Sequence, residues 1–266
     1  MTGRRIVIHG GFHKTGTTSA QKFILDNGPL IWPHAATVLP GRSRGPVARH
    51  AVRYSLTSAG PDMNRFRRSL ADLLGGLNLG KRALLISDEN FCGRMPGRDG
   101  QQGYDSAPDL MAAVVRVIRR FIDKDPELHF VFMTRAPDGW LRSTWLHNLV
   151  HTRLTLDYAD YARAHGQTAH LDRTAEEIRA AVAPYPVHVV PLEALSENPE
   201  GPAAPLLQLL GLPSDKRNRL TGATRANQGP DPALAPRLLD LNRSALSDAD
   251  LEAQKSALRD SPLPEV

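Results

Sequence analysis

The stretch GGFHKTGTTSAQ, residues 10–21, decides how this chain is read. It follows the apolar run RIVIHG and leads into KFILDNG, which continues as an amphipathic helix. A strand that enters a glycine turn and opens directly into a helix aims several backbone N–H groups, and the positive end of the helix dipole, at one point. Such a point attracts an anion. Gly11 and Gly16 have the spacing of a nucleoside-triphosphate loop, G-x-x-x-x-G-K-[ST], yet Thr17 and Thr18 stand where the lysine and its neighbouring hydroxyl belong. The loop's lysine, Lys14, sits two residues before the second glycine instead. Gly16 relieves crowding where the chain turns, and Thr15, Thr17, Thr18 and Ser19 place hydroxyl donors around the amide nest. From the lip of the loop, Lys14 reaches toward the outer group of a 5′-phospho ligand or its bridging oxygen.

Outward from this loop, apolar runs alternate with helical patterns. Strands are expected at residues 5–9, 83–87, 129–134 and 187–191, and the alternation predicts crossover units of a parallel sheet. Between the second and third runs, Pro108 suits a first helical turn, and Leu110, Met111, Val114, Ile118, Phe121 and Ile122 form one stripe. A further helix is expected around Met63, Phe66, Leu70 and Leu73, ended by Gly75 and Gly76. The segment 41–53 carries Arg42, Arg44, Arg49 and Arg53 among Gly and Pro, a loop or short helix that either lines an anionic site or is a solvated surface. Residues 28–80 otherwise match no pattern. The tail from residue 231 reads as helical, with Pro262 and Pro264 fraying its end. The expected fold is therefore α/β, a single domain with a mostly parallel central sheet flanked by helices.

At 266 residues and 41% apolar content the chain can bury a sizeable core. Thirty-three Lys and Arg against 28 Asp and Glu give +5, which suits an anionic ligand but falls short of a nucleic-acid binder with clustered basic tracts. The single cysteine, Cys92, excludes an internal disulfide framework and reads as a small buried hydrophobe. No Cys/His cluster has metal-site spacing, so no metal is expected. The opening MTGRRIVIHGG holds too short an apolar run for a signal-peptide core or a membrane span, and a cytoplasmic location is expected.

A second constellation lies beyond the third strand. In HFVFMTRAPDGWLRSTWLHNLV, Arg135 closes the strand and Ser143 falls eight residues later in the following helix. An arginine at the carboxyl end of a strand projects into the crevice where doubly wound sheets bind ligands, and its guanidinium fork suits phosphate. Pro137 and Asp138 start that helix.

The sequence HKTGTTS after a first strand resembles the 5′-phosphosulfate loop of the sulfotransferases that use 3′-phosphoadenosine 5′-phosphosulfate (PAPS). The pair Arg135 and Ser143 resembles that family's 3′-phosphate site. The late VHVVPLEALSENPEGPAAPLLQLLGLP and the segment TRANQG resemble its closing strand and helix and the stretch beyond, where Arg225 and Asn227 would lie near the cofactor. The resemblance covers roughly residues 5–230 and leaves 231–266 as a C-terminal helical tail. It implies a P-loop-NTPase-like sulfotransferase fold and a site of His13, Lys14, Thr15, Gly16, Thr17, Thr18, Ser19, Arg135, Ser143, Arg225 and Asn227. It also implies PAPS as co-substrate, adenosine 3′,5′-bisphosphate as product, no metal, and an acceptor hydroxyl or amine in a glycan, lipid or small metabolite. Lys14 would contact the leaving phosphate and the sulfuryl group in transfer.

The acceptor must lose a proton, which calls for a general base. ISDENF, at the end of the second run, offers Asp88 and Glu89; Glu89 is the expected base, with His13 and His147 as the other candidates. The same letters support a rival. ALLISDE has the form of a Walker B strand, which would make Asp88 a magnesium-linked residue of a nucleotide kinase or other P-loop NTPase. A silent anion-binding module would keep the loop and need neither Glu89 nor Arg135.

Overall fold

The computed structural model describes residues 3–43, 45–222 and 231–260. Strand β1 (Arg5–Gly11) leads through the loop into α1 (Thr17–Asp26), and the one-turn α2 (Gly28–Ile31) delivers the chain to β2 (Ala35–Val38). Helices α3 (Pro40–Ser43), α4 (Pro46–Thr57) and α5 (Gly60–Gly75) return it to β3 (Ala83–Ser87). A single 3-10 turn, Glu89–Cys92, and α6 (Ala107–Phe121) precede β4 (Glu127–Thr134). Helices α7 (Pro137–His151), α8 (Tyr158–His165) and α9 (Leu171–Val182) connect β4 to β5 (Val187–Pro191). Helices α10 (Ala204–Leu210), α11 (Ser214–Arg217), α12 (Ala235–Arg243) and α13 (Asp248–Asp260) follow.

The five strands form one parallel sheet in the order β2-β3-β1-β4-β5. Both faces are covered. Ile6, Ile8, Leu84, Ile86, Phe130 and Phe132 point to one side and pack with Phe66 and Leu70 of α5, Leu110 and Val114 of α6 and Ile178 of α9. Val7, Leu85, Val131 and Met133 point to the other and pack with Phe23 and Ile24 of α1 and Leu206 and Leu207 of α10. Burial on two faces is why these strands read as unbroken apolar runs rather than as alternating patterns.

The expected strands are present, with β1 continuing to Gly11 and β4 starting at Glu127. The sequence reading did not contain β2, a four-residue edge strand paired with β3. The basic segment folds as α3 and the first two turns of α4, whose buried stripe is Val47, Ala48, Ala51 and Tyr54. Arg42, Arg49 and Arg53 are exposed, and Arg53 lies 3.6 Å from Asp62. Arg44 lies outside the described residues. Cys92 is buried, as expected, and burial pushes its thiol pKa up.

The C-terminal helices dock on α7. Leu234, Leu238 and Leu258 pack with Leu146, Leu149 and Val150. Asn242 Nδ2 donates to the carbonyls of Leu149 and Leu154, at 3.1 and 2.8 Å. Lys255, only 1% exposed, donates from Nζ to the carbonyls of Leu149 (2.8 Å) and Thr152 (2.7 Å). The last carbonyls of a helix have no partner in their own ladder and carry the negative end of its dipole, so a buried ammonium is a fitting cap. Lys255→Met keeps most of the apolar stem but removes this donor from the half-buried Thr152 carbonyl and leaves the buried Leu149 carbonyl with Asn242 alone. It should cost about 1–3 kcal/mol in urea unfolding. A loss below about 0.5 kcal/mol would mean that the apolar contacts alone hold α13 in place.

Candidate active site

Parallel strands send their carboxyl ends to one edge, and β3, β1 and β4 are neighbours there. The loop after β1, the turn after β3 and Arg135 after β4 therefore open on the same crevice. Residues more than a hundred positions apart in the chain meet because the strand order, not the sequence order, decides adjacency.

The loop is clamped by its own hydroxyls. Phe12 is fully buried, its ring 5.0 Å from Tyr104 and 5.3 Å from Phe132. Its carbonyl accepts from Thr15 Oγ1 at 2.7 Å and from Thr17 Oγ1 at 3.2 Å. Of the four hydroxyls expected around an anion, two are thus engaged with the loop itself, while Thr18 is exposed and Ser19 half-buried. Gly16 has φ +91°, and a Cβ there would fall 2.8 Å from Leu192 Cδ1 and 3.0 Å from Pro202 Cγ. Both the turn and the close approach require glycine. The His13 carbonyl accepts from Trp140 Nε1 at 2.9 Å, and its N–H and Nδ1 meet the Tyr104 hydroxyl at 3.3 and 3.1 Å.

Around Lys14 the electrostatics are one-sided. Burial first, then the guanidinium groups of Arg135 and Arg98, push its pKa below the ordinary lysine value, while Glu89 opposes them. Glu89 is buried, and its Oε2 accepts from Gln21 Nε2 at 3.3 Å. Gln21 also reaches Ser87 Oγ at 3.2 Å, and Ser87 Oγ shares a 2.8 Å hydrogen bond with His9 Nδ1. Asp88, the other acid of ISDE, is turned to the protein. Its Oδ1 accepts from the backbone and side chain of Asn90 (3.0 and 2.8 Å), and its Oδ2 accepts from Ser43 Oγ at 2.5 Å. Burial raises its pKa, and the Ser43 hydrogen bond works against that rise.

Helix α7 contributes a stripe at four-residue spacing. Gly139 lies under Arg135, whose Nε is 3.3 Å from where a glycine Cβ would be. Ser143, His147 and His151 follow on successive turns, near enough to act together. The two imidazoles are 4.5 Å apart. Burial, then Lys14 and Arg98, lower the pKa of His147 to about 3. Burial likewise brings His13 and His9 down to about 4. Arg225 and Asn227 lie outside the described residues. Sequence reasoning missed Arg94, Arg98, Gln21 and Asn148. A signal was present for the first two: GRMPGRDG, a basic pair in a Gly/Pro loop directly after the acidic turn. Among the described residues no group of three or more His, Cys, Asp and Glu is placed to hold a metal ion, and no helix is long and apolar enough to cross a membrane.

These histidines make stability pH-dependent, and the sign follows from their direction. Each has a folded pKa below its unfolded value of 6.5, so the unfolded chain takes up protons first as pH falls. Stability is full above about pH 6.5 and declines as pH falls, to about 4 for His9 and His13 and to about 3 for His147. His9, fully buried, alone should account for roughly 2 kcal/mol between pH 7 and 5. Urea midpoints that coincide at pH 7 and pH 5 would show that the imidazoles are not held neutral.

No family model and no curated protein matches the chain. Among solved structures it is similar to a crystal structure of a sulfotransferase from Alicyclobacillus acidocaldarius, over 97% of this chain and 100% of that one. The TM-score is 0.52 at 16% identity, which establishes a shared fold: a parallel α/β sheet flanked by helices.

Proposed function

We propose that this chain is a PAPS-dependent sulfotransferase, moving a sulfuryl group to a hydroxyl or amine of an acceptor. The observation that carries the reading is the convergence, at three adjacent strand ends, of a lysine-first phosphate loop, a buried glutamate and an arginine that lies over Gly139, one turn of α7 before Ser143. The fold shared with a sulfotransferase supports it.

In this reading the amide nest and Lys14 hold the 5′-phosphosulfate, and Arg135 with Ser143 holds the 3′-phosphate. The Ser143 hydroxyl makes no hydrogen bond among the described residues, so its donor is available. The acceptor oxygen forms a bond to sulfur as the bond from sulfur to the bridging oxygen breaks. The electron pair goes to the departing adenosine 3′,5′-bisphosphate, where Lys14 meets the growing charge. The acceptor's proton passes to Glu89, which Gln21 orients. His147 is a poor base at a pKa of about 3, and His13 is held by Tyr104, so the carboxylate is the better acceptor. Location in the cytoplasm and a single-domain organisation belong to the same proposal.

Lys14→Ala should lower turnover on the order of a hundredfold to a thousandfold and weaken bisphosphate binding by less, because the contact strengthens in the transition state. Equal losses in kcat and affinity would reduce Lys14 to a positioning charge. Arg135→Ala should erase about 2 kcal/mol of the preference for adenosine 3′,5′-bisphosphate over ADP in calorimetry, and Ser143→Ala about 1 kcal/mol. A wild-type protein with no such preference would sink the whole reading. Glu89→Gln should cut turnover roughly a hundredfold or more while leaving bisphosphate affinity within about threefold. If it keeps full turnover, the base lies elsewhere.

A further inference from the structure

The loop that follows the acidic turn holds two arginines whose charge the protein answers only in part, through the exposed carboxylate of Asp99. Residues 93–100 run from the Glu89 turn across the crevice mouth to the far end of α7. They are pinned on both sides. The N–H of Arg94 donates to Ser55 Oγ at 2.8 Å, and Arg98 Nε donates to Asn148 Oδ1 at 2.8 Å. Gly97 has φ +81° and packs so closely on Asn148 and Tyr161 that a Cβ would sit 2.6 and 2.9 Å from their polar atoms. The Arg98 guanidinium is therefore held in place, and Arg94 is fixed through its backbone.

Their hydrogen bonding is incomplete. Arg94 Nε and Arg98 Nη2 are buried and make no hydrogen bond among the described residues. Arg94 has an ion pair with Asp99, a carboxylate that is 55% exposed and largely screened by water. Arg98 meets only the neutral amide of Asn148 in its described hydrogen bond. The field of Arg98 is felt by Lys14, His13, His147 and His151, so surplus positive charge faces the crevice. Burying a cation with unanswered donors is costly unless an anion completes the set, and a planar fork suits a carboxylate, phosphate or sulfate group.

The position decides which molecule supplies that anion. Arg135 follows β4, on one side of β1, and is the cation expected at the cofactor's 3′-phosphate. Arg94 and Arg98 follow β3, directly beyond Glu89: Arg94 stays on that side, beside Ser55 of α4, and Arg98 reaches across the mouth to Asn148, more than a turn of α7 beyond Ser143. The β3 side is the one from which an acceptor must approach the base. We propose that Arg94 and Arg98 form a subsite for an anionic group of the acceptor, so that the substrate carries a carboxylate, phosphate or sulfate group beside the hydroxyl or amine that reacts. The inference rests on the transferase reading above.

The test is calorimetric and uses inorganic phosphate as the probe. Wild-type protein is first titrated with adenosine 3′,5′-bisphosphate, then, saturated with it, with phosphate. One phosphate is expected to bind the saturated protein. Arg98→Gln and Arg94→Gln should each weaken it about tenfold or more while changing bisphosphate affinity less than about threefold. Should Arg98→Gln fail to fold for want of its Asn148 contact, Arg94→Gln carries the test, since its ion partner Asp99 is on the surface. Absence of bisphosphate binding to wild type overturns the transferase reading and this subsite with it. Bisphosphate binding without a second anion, or phosphate binding that the variants leave unchanged, overturns the subsite alone. So does a parallel loss of both ligands, which would assign the arginines to the cofactor.

Discussion

The carbonyl oxygen of Phe12 is the atom on which the crevice depends. Two threonine hydroxyls converge on it, from Thr15 and Thr17, and bend five residues of chain into a closed ring at the end of β1. That ring forces Gly16 into a left-handed turn and puts Lys14, with φ +67°, on the lip. Phe12 anchors the ring from below through Tyr104 and Phe132. Trp140 fastens it to α7 through the His13 carbonyl. The lysine's place before the glycine is matched by the backbone: with Thr17 drawn into the clamp, Lys14 at its positive φ stands on the lip.

A second constraint is the balance of charge inside that mouth. Arg135 and Arg98 both bear on Lys14, and the imidazoles nearby stay neutral rather than adding to the repulsion. His147 is the clearest case, since burial and two cations act on it in the same direction. Cations gathered this closely raise the energy of the ligand-free site and lower that of a polyanionic complex. Part of the binding energy of such a ligand is relief of this repulsion. Glu89 is the acid that counters it at Lys14.

Much of this arrangement was legible because it follows from residues adjacent in the chain. The runs at β1, β3, β4 and β5 are apolar over their length since both sheet faces are covered, and the loop and Arg135 sit at their ends. The rest depended on contacts that no local pattern encodes. Strand β2 is four residues long and at an edge, so it has too few side chains to show a period. The roles of Thr15 and Thr17 reverse on folding: hydroxyls that look like ligand donors turn inward to a carbonyl. Of the arginines of 41–53 that attract notice by number, Arg42 is exposed on α3 and Arg49 and Arg53 on α4, whereas Arg94 and Arg98 each hold a buried nitrogen with no hydrogen bond among the described residues. The tail beyond residue 231 reads as a helical appendage, but Lys255 and Asn242 tie it to the carbonyls that end α7.

The two acids of ISDE show how folding resolves an ambiguity that letters leave open. Read as a Walker B strand, Asp88 would face the loop and Glu89 would assist it. Folding gives Asp88 the N-cap of the 3-10 turn, where Asn90 donates twice to one oxygen and Ser43 donates to the other. A carboxylate with three protein donors is held by the protein, and turning it outward would cost those hydrogen bonds in a buried place. The cap in turn sets the direction of the next residue. By closing the turn immediately after β3, it swings Glu89 back across β1 toward Gln21 and into the field of Lys14. Asp88 is the hinge pin and Glu89 the group it aims, a division of labour that suits a proton acceptor beside a cation better than a metal ligand beside a triphosphate.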